Sequence, residues 1–289
     1  MTATAPDLGS REFSFTDQDF RALAQLARAE FGLSLAESKK PLVYSRLARR
    51  LRARHISSFQ DYMTLLGGQE EADERLELIS ALTTNVTSFF REKHHFDTLR
   101  RELMPQLAKQ PRIRLWSAGC SSGQEPFSIA MTLLDALPET SRRNVRILAT
   151  DIDPAIVRRA RAARYPKEES ETIPAELRRA WTKPCPEEDD QVEMSQTARQ
   201  MISFAELNLI EPWPFHGPFD AIFCRNVAIY FDHDIQKTLW SRFAGMLRDG
   251  GFLFIGHSER VSGPALQSLT TAGVTTYRKT SASGPAVAT

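Results

Sequence analysis

The sequence is poor in cysteine and has no long hydrophobic run. Its 289 residues include three cysteines, Cys120, Cys185 and Cys224, with no CxxC pair. This odd number fits a reducing compartment and argues against a disulfide framework or a cysteine-rich zinc site. The longest apolar stretches, such as residues 227–231, are far shorter than the roughly 20 residues that cross a bilayer. We therefore expect a cytoplasmic protein without membrane insertion.

The chain also lacks an excess of charge and a targeting pattern. Lys and Arg number 37 against 36 Asp and Glu, for a net charge of +1, so the total charge gives no reason to expect a nucleic-acid partner. Residues 1–10 have neither a basic start nor an apolar core, which excludes a secretory signal in this segment. The six histidines show no HxxxH or HExxH spacing, so we expect no metal site.

The first part of the chain has helical spacing of apolar residues and few glycines or prolines. This pattern predicts four helices, over about residues 16–31, 42–54, 58–67 and 71–81. The second helix is strongly basic, with arginines at Arg46, Arg49, Arg50, Arg52 and Arg54. We expect a disordered tail over residues 1–14 and a basic helical domain over residues 15–84.

After residue 111 the pattern changes to short β-rich runs that alternate with amphipathic helices. Candidate strands cover residues 113–118, 145–150, 201–207, 219–224, 251–256 and 275–278. Repeated βα units predict a parallel sheet, so we expect a doubly wound α/β domain over residues 85–280. A stretch rich in proline and acidic residues, about 165–200, interrupts the rhythm and predicts a small inserted subdomain. Residues 281–289 are expected to be a second disordered tail.

A glycine turn at residues 116–126 (WSAGCSSGQEP) follows the first of these strands and opens a helix. Such a turn can hold a nucleotide-like ligand, although many βα turns contain glycine for geometry only. Asp151, after the second strand, could hydrogen-bond ribose hydroxyls. Glu125, in the first helical turn, could be a simple dipole-compensating acid. It would repel the pyrophosphate of a dinucleotide, whereas it would attract the ammonium and sulfonium groups of S-adenosylmethionine.

Two further segments place polar side chains beside apolar ones. Residues 83–92 (TTNVTSFFRE) join the two regions, and residues 224–232 (CRNVAIYFD) follow a strand at the edge where open α/β sheets bind ligands. Taken singly, each segment could equally be a helix cap with aromatic residues in the core. Only the segments taken together can therefore indicate a function.

In order along the chain, the segments ALTTNVTSFFRE, LWSAGCSSGQEPFSIA, ATDID, NLIEPWPFHGPFDAIFCRNVAIYFD and GFLFIGHSE resemble the chemotaxis-receptor glutamate methyltransferases (CheR). The resemblance covers about residues 15–280. It implies a Rossmann-like methyltransferase domain that moves the methyl group of S-adenosylmethionine to glutamate side chains on the cytoplasmic helices of bacterial chemoreceptors. The products would be a glutamate methyl ester and S-adenosylhomocysteine. A monomer is expected.

Position by position, the resemblance implies a set of cofactor contacts at Asn85, Thr87, Arg91, Glu125, Asp151, Asn208, Leu209, Arg225 and Asn226. It implies a methyl-transfer centre at Arg91 and Tyr230. The insertion is where some members of the family dock a receptor peptide, and the match there is too poor to carry that property over. The five arginines of the basic helix could steer an acidic receptor helix, or could form an ordinary solvated face.

Three other functions are considered beside receptor glutamate methylation. A methyltransferase for nucleic acids or small molecules is disfavoured, because no Asn-Pro-Pro-aromatic motif follows the strand at residues 219–224. A dehydrogenase is disfavoured by the missing GxGxxG. A cofactor-binding sensor without catalysis also stays open, although the residues implied for methyl transfer are present.

Overall fold

The computed structural model describes residues 12–68, 71–83, 86–142 and 144–280. The chain divides into two compact units, residues 1–84 and 85–289. Most of the two expected tails, residues 1–11 and 281–289, lies outside the described residues. Phe13 is buried, and its ring meets the edge of Phe59 at a centroid distance of 6.5 Å. The packed part of the first unit therefore begins earlier than the expected boundary at residue 15.

The described part of the first unit contains four α-helices: α1 Asp17–Phe31, α2 Lys40–Ala53, α3 Phe59–Leu66 and α4 Ala72–Leu82. Local signals set the ends of α1, where Thr16 and Asp19 form a capping box and Gly32 ends the helix in a left-handed conformation (φ 73°). Ser58 caps α3 by accepting a hydrogen bond from the backbone N–H of Asp61. The four expected helices are present, each within a few residues of its predicted bounds.

The second unit alternates strands and helices. Its helices are α5 His94–Thr98, α6 Met104–Leu107, α7 Gln124–Ala136, α8 Glu139–Arg142, α9 Pro154–Ala162, α10 Lys167–Ser170, α11 Ala175–Trp181, α12 Gln196–Gln200 and α13 His233–Met246. Its strands are β1 Ile113–Ala118, β2 Val145–Asp151, β3 Arg164–Pro166, β4 Thr182–Pro184, β5 Gln191–Met194, β6 Ile202–Glu206, β7 Phe219–Cys224, β8 Leu247–Ile255, β9 Leu269–Gly273 and β10 Thr276–Lys279. A π-helical segment, Leu99–Leu103, joins α5 to α6.

Seven strands form one sheet in the order β6-β2-β1-β7-β8-β10-β9. The pairs from β6 to β8 are parallel, whereas β10 runs antiparallel to both of its neighbours. This is the expected doubly wound α/β sheet. The strand order reverses between β1 and β7, so ligands are expected at the carboxyl ends of these strands. The sequence pattern missed β9, because four of its five residues are exposed and no alternation marks it.

The main sheet is covered on both faces. Within β1, Leu115 belongs to one hydrophobic cluster and its neighbour Trp116 to another, as expected when successive side chains point to opposite faces. The inserted stretch forms a separate three-stranded sheet in the order β3-β5-β4, with antiparallel pairing. Within the ranges that the structure describes, no helix is long and apolar enough to cross a membrane.

Candidate active site

The turn between β1 and α7 depends on two glycines. Gly119 has φ 81°, and a Cβ atom there would lie 2.3 Å from Cγ2 of Val227. Gly123 has φ 98°, and its Cβ would lie 2.6 Å from the hydroxyl oxygen of Tyr165. A side chain at either position would meet both backbone strain and a steric clash. The turn can therefore pack directly against the loop that follows β7.

Asp151, the last residue of β2, fastens this turn. Its Oδ2 accepts a hydrogen bond from the backbone N–H of Ser121 at 2.8 Å, and its Oδ1 accepts from the N–H of Asp153 at 3.2 Å. Burial raises the pKa of Asp151, against the effect of these backbone hydrogen bonds. Because a carboxylate offers about four acceptor positions, both oxygens can still accept a further hydrogen bond, as the hydroxyls of a ribose would provide.

A buried guanidinium lies between two carboxylates at the centre of the site. Nε of Arg225 is 3.5 Å from Oε2 of Glu125 and 3.6 Å from Oε2 of Glu92. Glu125 also accepts a hydrogen bond from the Ser117 hydroxyl at 2.6 Å. Burial raises the pKa of Glu125, while Arg225 and Ser117 act to lower it. A cationic ligand would add to the charges that favour the ionised form of Glu125.

Arg91 is joined to this cluster through its backbone. Nη2 of Arg225 donates a hydrogen bond to the carbonyl oxygen of Arg91, and Nη1 of Arg91 donates to the carbonyl oxygen of Val86 at 2.9 Å. The residues on either side, Phe90 and Glu92, have φ of 53° and 54°. Two such non-glycine residues, separated by one residue, store backbone strain, which surrounding contacts must hold. The sequence alone gave no sign of this strained segment.

The loop after β7 is held by a side chain from the loop after β8. The carboxylate of Glu259 accepts hydrogen bonds from the backbone N–H groups of Asn226, Val227 and Ile229. Tyr230 is half-buried at the end of a short 3₁₀ turn in this loop. Glu259 ends the segment GFLFIGHSE, and the family resemblance implies no role for it. Its position just after a strand was the signal that could have singled it out.

The loop after β6 lies at the same edge of the sheet. Its first N–H, from Leu207, donates to the carbonyl oxygen of Asp151 at 2.9 Å. Oδ1 of Asn208 accepts from the N–H of Ile210 at 3.2 Å, and Leu209 is buried. Parallel pairing of β6 with β2 places this loop next to Asp151.

The structure thus assembles most of the expected site at one sheet edge. Direct contacts join Arg91, Glu125 and Arg225, and Gly119 packs on Val227, next to Asn226 in the chain. The strands that precede them bring Asp151, Asn208, Leu209 and Tyr230 to the same edge. Thr87 is half-buried before Arg91. The expected contact at Asn85 lies outside the described residues.

A histidine cluster adjoins the guanidinium. In the described ranges, potential ligand atoms of Glu92, His94 and His95 lie within 4.8 Å of one another. Nε2 of His95 lies 2.8 Å from Oγ1 of Thr275, and burial, followed by the charge of Arg225, lowers the pKa of His95 to about 3. Nε of Arg225 lies 3.6 Å from Glu92, and this guanidinium would repel a metal ion at the cluster. The expectation of no metal site stays a prediction.

The arginines of α2 have unequal surroundings. Nη1 of Arg46 donates to the carbonyl oxygens of residues 81–83. Arg50 pairs with Glu74 and Glu77, and Arg54 pairs with Glu71. Arg49, Arg52 and Arg54 are exposed, and Arg52 lies 3.3 Å from Glu12 at the surface. Four of the five predicted steering residues therefore also contact groups of the first unit.

The site has buried polar atoms that the protein itself leaves unused. Nε and Nη1 of Arg225 and Oδ1 of Asn226 are buried and form no hydrogen bond. Buried polar groups normally find a partner, so such atoms at a sheet edge indicate that a ligand or water supplies it. The site combines a glycine turn with two acids, Asp151 after β2 and Glu125 in the first turn of α7. This combination favours an α/β domain that binds a nucleoside-type ligand carrying a cation.

Comparison with known proteins identifies the family. The family model described as "CheR methyltransferase, SAM binding domain" matches residues 85–277, and the model described as "CheR methyltransferase, all-alpha domain" matches residues 18–83. The chain therefore belongs to the CheR methyltransferase family. S-adenosylmethionine is its cofactor, as expected, and the unpartnered buried atoms of Arg225 and Asn226 fit such a ligand.

Three relatives are similar to the chain over most of its length. A "Probable chemotaxis protein methyltransferase" from Rhizobium etli is 45% identical over 87% of this chain and 96% of the relative. "Chemotaxis protein methyltransferase 2" of Pseudomonas aeruginosa is 42% identical over 88% and 91%. "Chemotaxis protein methyltransferase" of Escherichia coli is 39% identical over 88% of both chains. The chain is thus a chemotaxis methyltransferase with a domain that binds S-adenosylmethionine.

Proposed function

We propose that this methyltransferase esterifies glutamate side chains on the cytoplasmic helices of bacterial chemoreceptors. The observation that carries the proposal is the similarity to chemotaxis protein methyltransferases over 96% of the length of one relative. The products are the γ-methyl ester and S-adenosylhomocysteine. The cofactor contacts are those expected from the sequence: Asn85, Thr87, Arg91, Glu125, Asp151, Asn208, Leu209, Arg225 and Asn226.

In this proposal the acids of the site recognise the cofactor. Glu125 takes the ammonium group, because its side chain is only 11% exposed and it shares the Arg225 guanidinium with Glu92. Asp151 takes the ribose hydroxyls with the acceptor positions that the turn leaves free. Arg225 and Asn226 use their unpartnered atoms on the polar groups of the ligand. Each assignment matches a donor with an acceptor or a charge with its opposite.

Methylation of a glutamate carboxylate needs no strong general acid or base from the protein. A glutamate carboxylate, with a pKa near ~4.3, is ionised at neutral pH. The cofactor supplies a methyl group on a sulfonium, and two charges disappear as the new bond forms, so a dry and well-aligned site favours transfer. Arg91 and Tyr230 hold the reacting groups in line. The bond from Arg91 to the Val86 carbonyl leaves its guanidinium a weaker ligand for the substrate carboxylate, which avoids overstabilising the ground state.

The acidic receptor helix is guided by the exposed arginines of α2. Arg49, Arg52 and Arg54 are exposed, but Arg54 lies beside two acids, Glu71 and Glu74. Arg46 and Arg50 are half-buried and engage carbonyls or acids of their own unit. Long-range attraction raises the rate of encounter more than the final affinity. Steering in this proposal therefore depends mainly on Arg49 and Arg52.

The test is transfer of labelled methyl from S-adenosylmethionine to a purified chemoreceptor cytoplasmic fragment. We expect label that mild base releases as methanol, since an ester is base-labile. Tyr230→Phe should lower transfer with little change in affinity for S-adenosylhomocysteine, whereas Arg91→Ala should lower both, because Arg91 is also a proposed cofactor contact. Tight product binding without any label on the receptor would mean another acceptor or a sensor. Full activity of both variants would remove the proposed methyl-transfer centre.

A further inference from the structure

We propose that Glu259 is a positioning residue for methyl transfer. Its buried carboxylate sets the loop after β7, which carries Arg225 and Asn226 toward the cofactor and Tyr230 toward the methyl group. The part that concerns Tyr230 rests on the function proposed above, whereas the part that concerns the cofactor does not. Glu259 itself is not expected to touch either reactant.

The contacts of Glu259 are those of an anion in a backbone nest. Oε1 accepts from the N–H of Val227 at 2.9 Å and from that of Ile229 at 3.3 Å. Oε2 accepts from the N–H of Asn226 at 3.1 Å and from that of Gly256 at 2.5 Å. The residue is 4% exposed. Both carboxylate oxygens are thus needed, and together they join the loops after β7 and β8.

The backbone of the loop requires this anchor. Asn226 has φ 60°. This left-handed conformation is uncommon for non-glycine residues, although asparagine adopts it more readily than most. A Cβ atom at Gly256 would lie 2.7 Å from the backbone nitrogen of Asn226, so the residue after β8 packs directly against Asn226. Neighbouring N–H groups that point to one side repel each other unless an anion lies between them. Glu259 is that anion.

The division of hydrogen bonds in the loop links this anchor to function. Glu259 uses the backbone donors of the loop, while Nη1 of Arg225 and Oδ1 of Asn226 keep no partner within the protein. The backbone is therefore fixed and the side chains stay available to a ligand. If the anchor is weakened, the loop can turn, and Arg225 then loses its distances to Glu125 and Glu92. Cofactor affinity and turnover should both suffer.

The experiment compares Glu259→Gln with Asp220→Asn. Asp220 is a matched control: it is a buried acid (5% exposed) in the first half of β7, at the opposite end from the loop, and accepts from the N–H of Arg114 at 2.8 Å and from Nε of Arg248. Glutamine has one oxygen, so two of the four N–H groups around position 259 would face an amide NH₂. Glu259→Asp keeps both oxygens on a shorter side chain and serves as the conservative variant.

Unfolding midpoints, calorimetric affinity for S-adenosylhomocysteine, and kcat and KM on a receptor fragment are measured for all three variants. In Glu259→Gln, the loop after β7 loses hydrogen bonds that orient Arg225 and Asn226, so product binding should weaken about tenfold or more and kcat should fall. Glu259→Asp should recover part of both. Asp220→Asn should lower the midpoint similarly and leave affinity and kcat within about twofold of the parent.

The proposal is overturned if Glu259→Gln loses stability like the control but keeps its affinity and kcat. If Glu259→Gln does not fold, the comparison of Glu259→Asp with Asp220→Asn decides in the same way. Binding of S-adenosylhomocysteine requires no methyl acceptor. Failure of receptor glutamate methylation would therefore leave the binding result for Glu259 intact, and the two failures can be told apart.

Discussion

Two buried charge clusters, one in each unit, differ in how far the protein itself satisfies them. In the helical unit, Glu74 is 3% exposed and accepts hydrogen bonds from Nε and Nη2 of Arg50 and from the hydroxyl of Tyr62, at 2.8–3.1 Å. In the second unit, Arg225 lies between two carboxylates at 3.5 and 3.6 Å, with two nitrogens unbonded. The first cluster is satisfied within the protein, whereas the second leaves donors for a ligand or water.

The difference shows how to separate a structural ion pair from a binding site. Both clusters contain buried acids and arginines, and a census of charge or burial would treat them alike. Within the described ranges, the buried side-chain atoms without a hydrogen bond all lie in the second unit. Unsatisfied buried groups are unfavourable. Seven of these ten atoms belong to the glycine turn, the segment after β2, the Arg225–Asn226 loop, Glu92 or His95, which points to a function there.

The sharpest contrast should come from removing the arginine of each cluster. Arg225→Ala leaves Glu125 and Glu92 buried without their cation, which for a buried pair costs about 3–5 kcal/mol. We expect a lower unfolding midpoint and affinity for S-adenosylhomocysteine reduced about a hundredfold. Arg50→Ala should lower stability by about 1–3 kcal/mol and leave affinity unchanged. Thermal unfolding and calorimetry on both variants check this, and equal affinities would erase the comparison.

A steric change at the glycine turn should have the next largest effect. Gly119→Ala places a Cβ 2.3 Å from Val227 Cγ2 at φ 81°, which forces the turn and the loop after β7 apart. We expect about tenfold weaker product binding, partly restored by Val227→Ala in the double variant. Gly245→Ala is the control, because its Cβ would meet nothing within 4 Å in helix α13, and it should stabilise by up to about 1 kcal/mol.

The pH dependence of cofactor binding tests whether Glu125 behaves as a ligand acid. Burial raises its pKa in the free protein, and Glu92 and Glu259 add to the rise. A ligand ammonium favours the carboxylate, so binding releases a proton and affinity must fall as the pH drops through the raised pKa. The limit is about tenfold per pH unit. Calorimetry in buffers of different ionisation enthalpy measures the proton, and Glu125→Gln should lose this contribution.

The smallest effect is expected at the surface of the helical unit. The double change Arg49→Glu, Arg52→Glu should slow receptor methylation about three- to tenfold at low salt, because steering acts on encounter, and the difference should vanish as salt screens it. Lys109→Glu, an exposed charge reversal in the second unit, is the control. Initial rates over a range of ionic strength measure the effect. A defect that persists at high salt would argue for direct contact instead of steering.

Much of the fold was predictable because its signals are local. The capping box of Thr16 and Asp19, the stop at Gly32 and the apolar runs of β1 and β7 each specify an element within a few residues. The strand β9 was missed because its pairing with β10 is not visible in its own exposed residues. Phe13 falls in the expected tail for a similar reason, because its partner Phe59 lies far along the chain.

The motifs of the candidate site were predictable from the sequence, whereas the contacts between their side chains were less predictable. The glycine turn and Asp151 followed from position after strands, and the remaining contacts followed from resemblance to a family. The role of Glu259 depends on hydrogen bonds to residues 30 to 33 positions away. The five arginines of α2 look equivalent in the sequence, and packing alone decides that Arg46, Arg50 and Arg54 are engaged within their unit.

By itself, the sequence determined the helical and α/β regions, the order of the strands along the chain, and the residue types available for binding a cationic nucleoside. Periodicity and capping act between near neighbours, which is why they can be read directly. Only the tertiary structure decided which buried charges are satisfied, that Arg225 lies between Glu92 and Glu125, and that Glu259 holds the loop beside them. Those outcomes depend on contacts between distant segments, whose geometry no local pattern specifies.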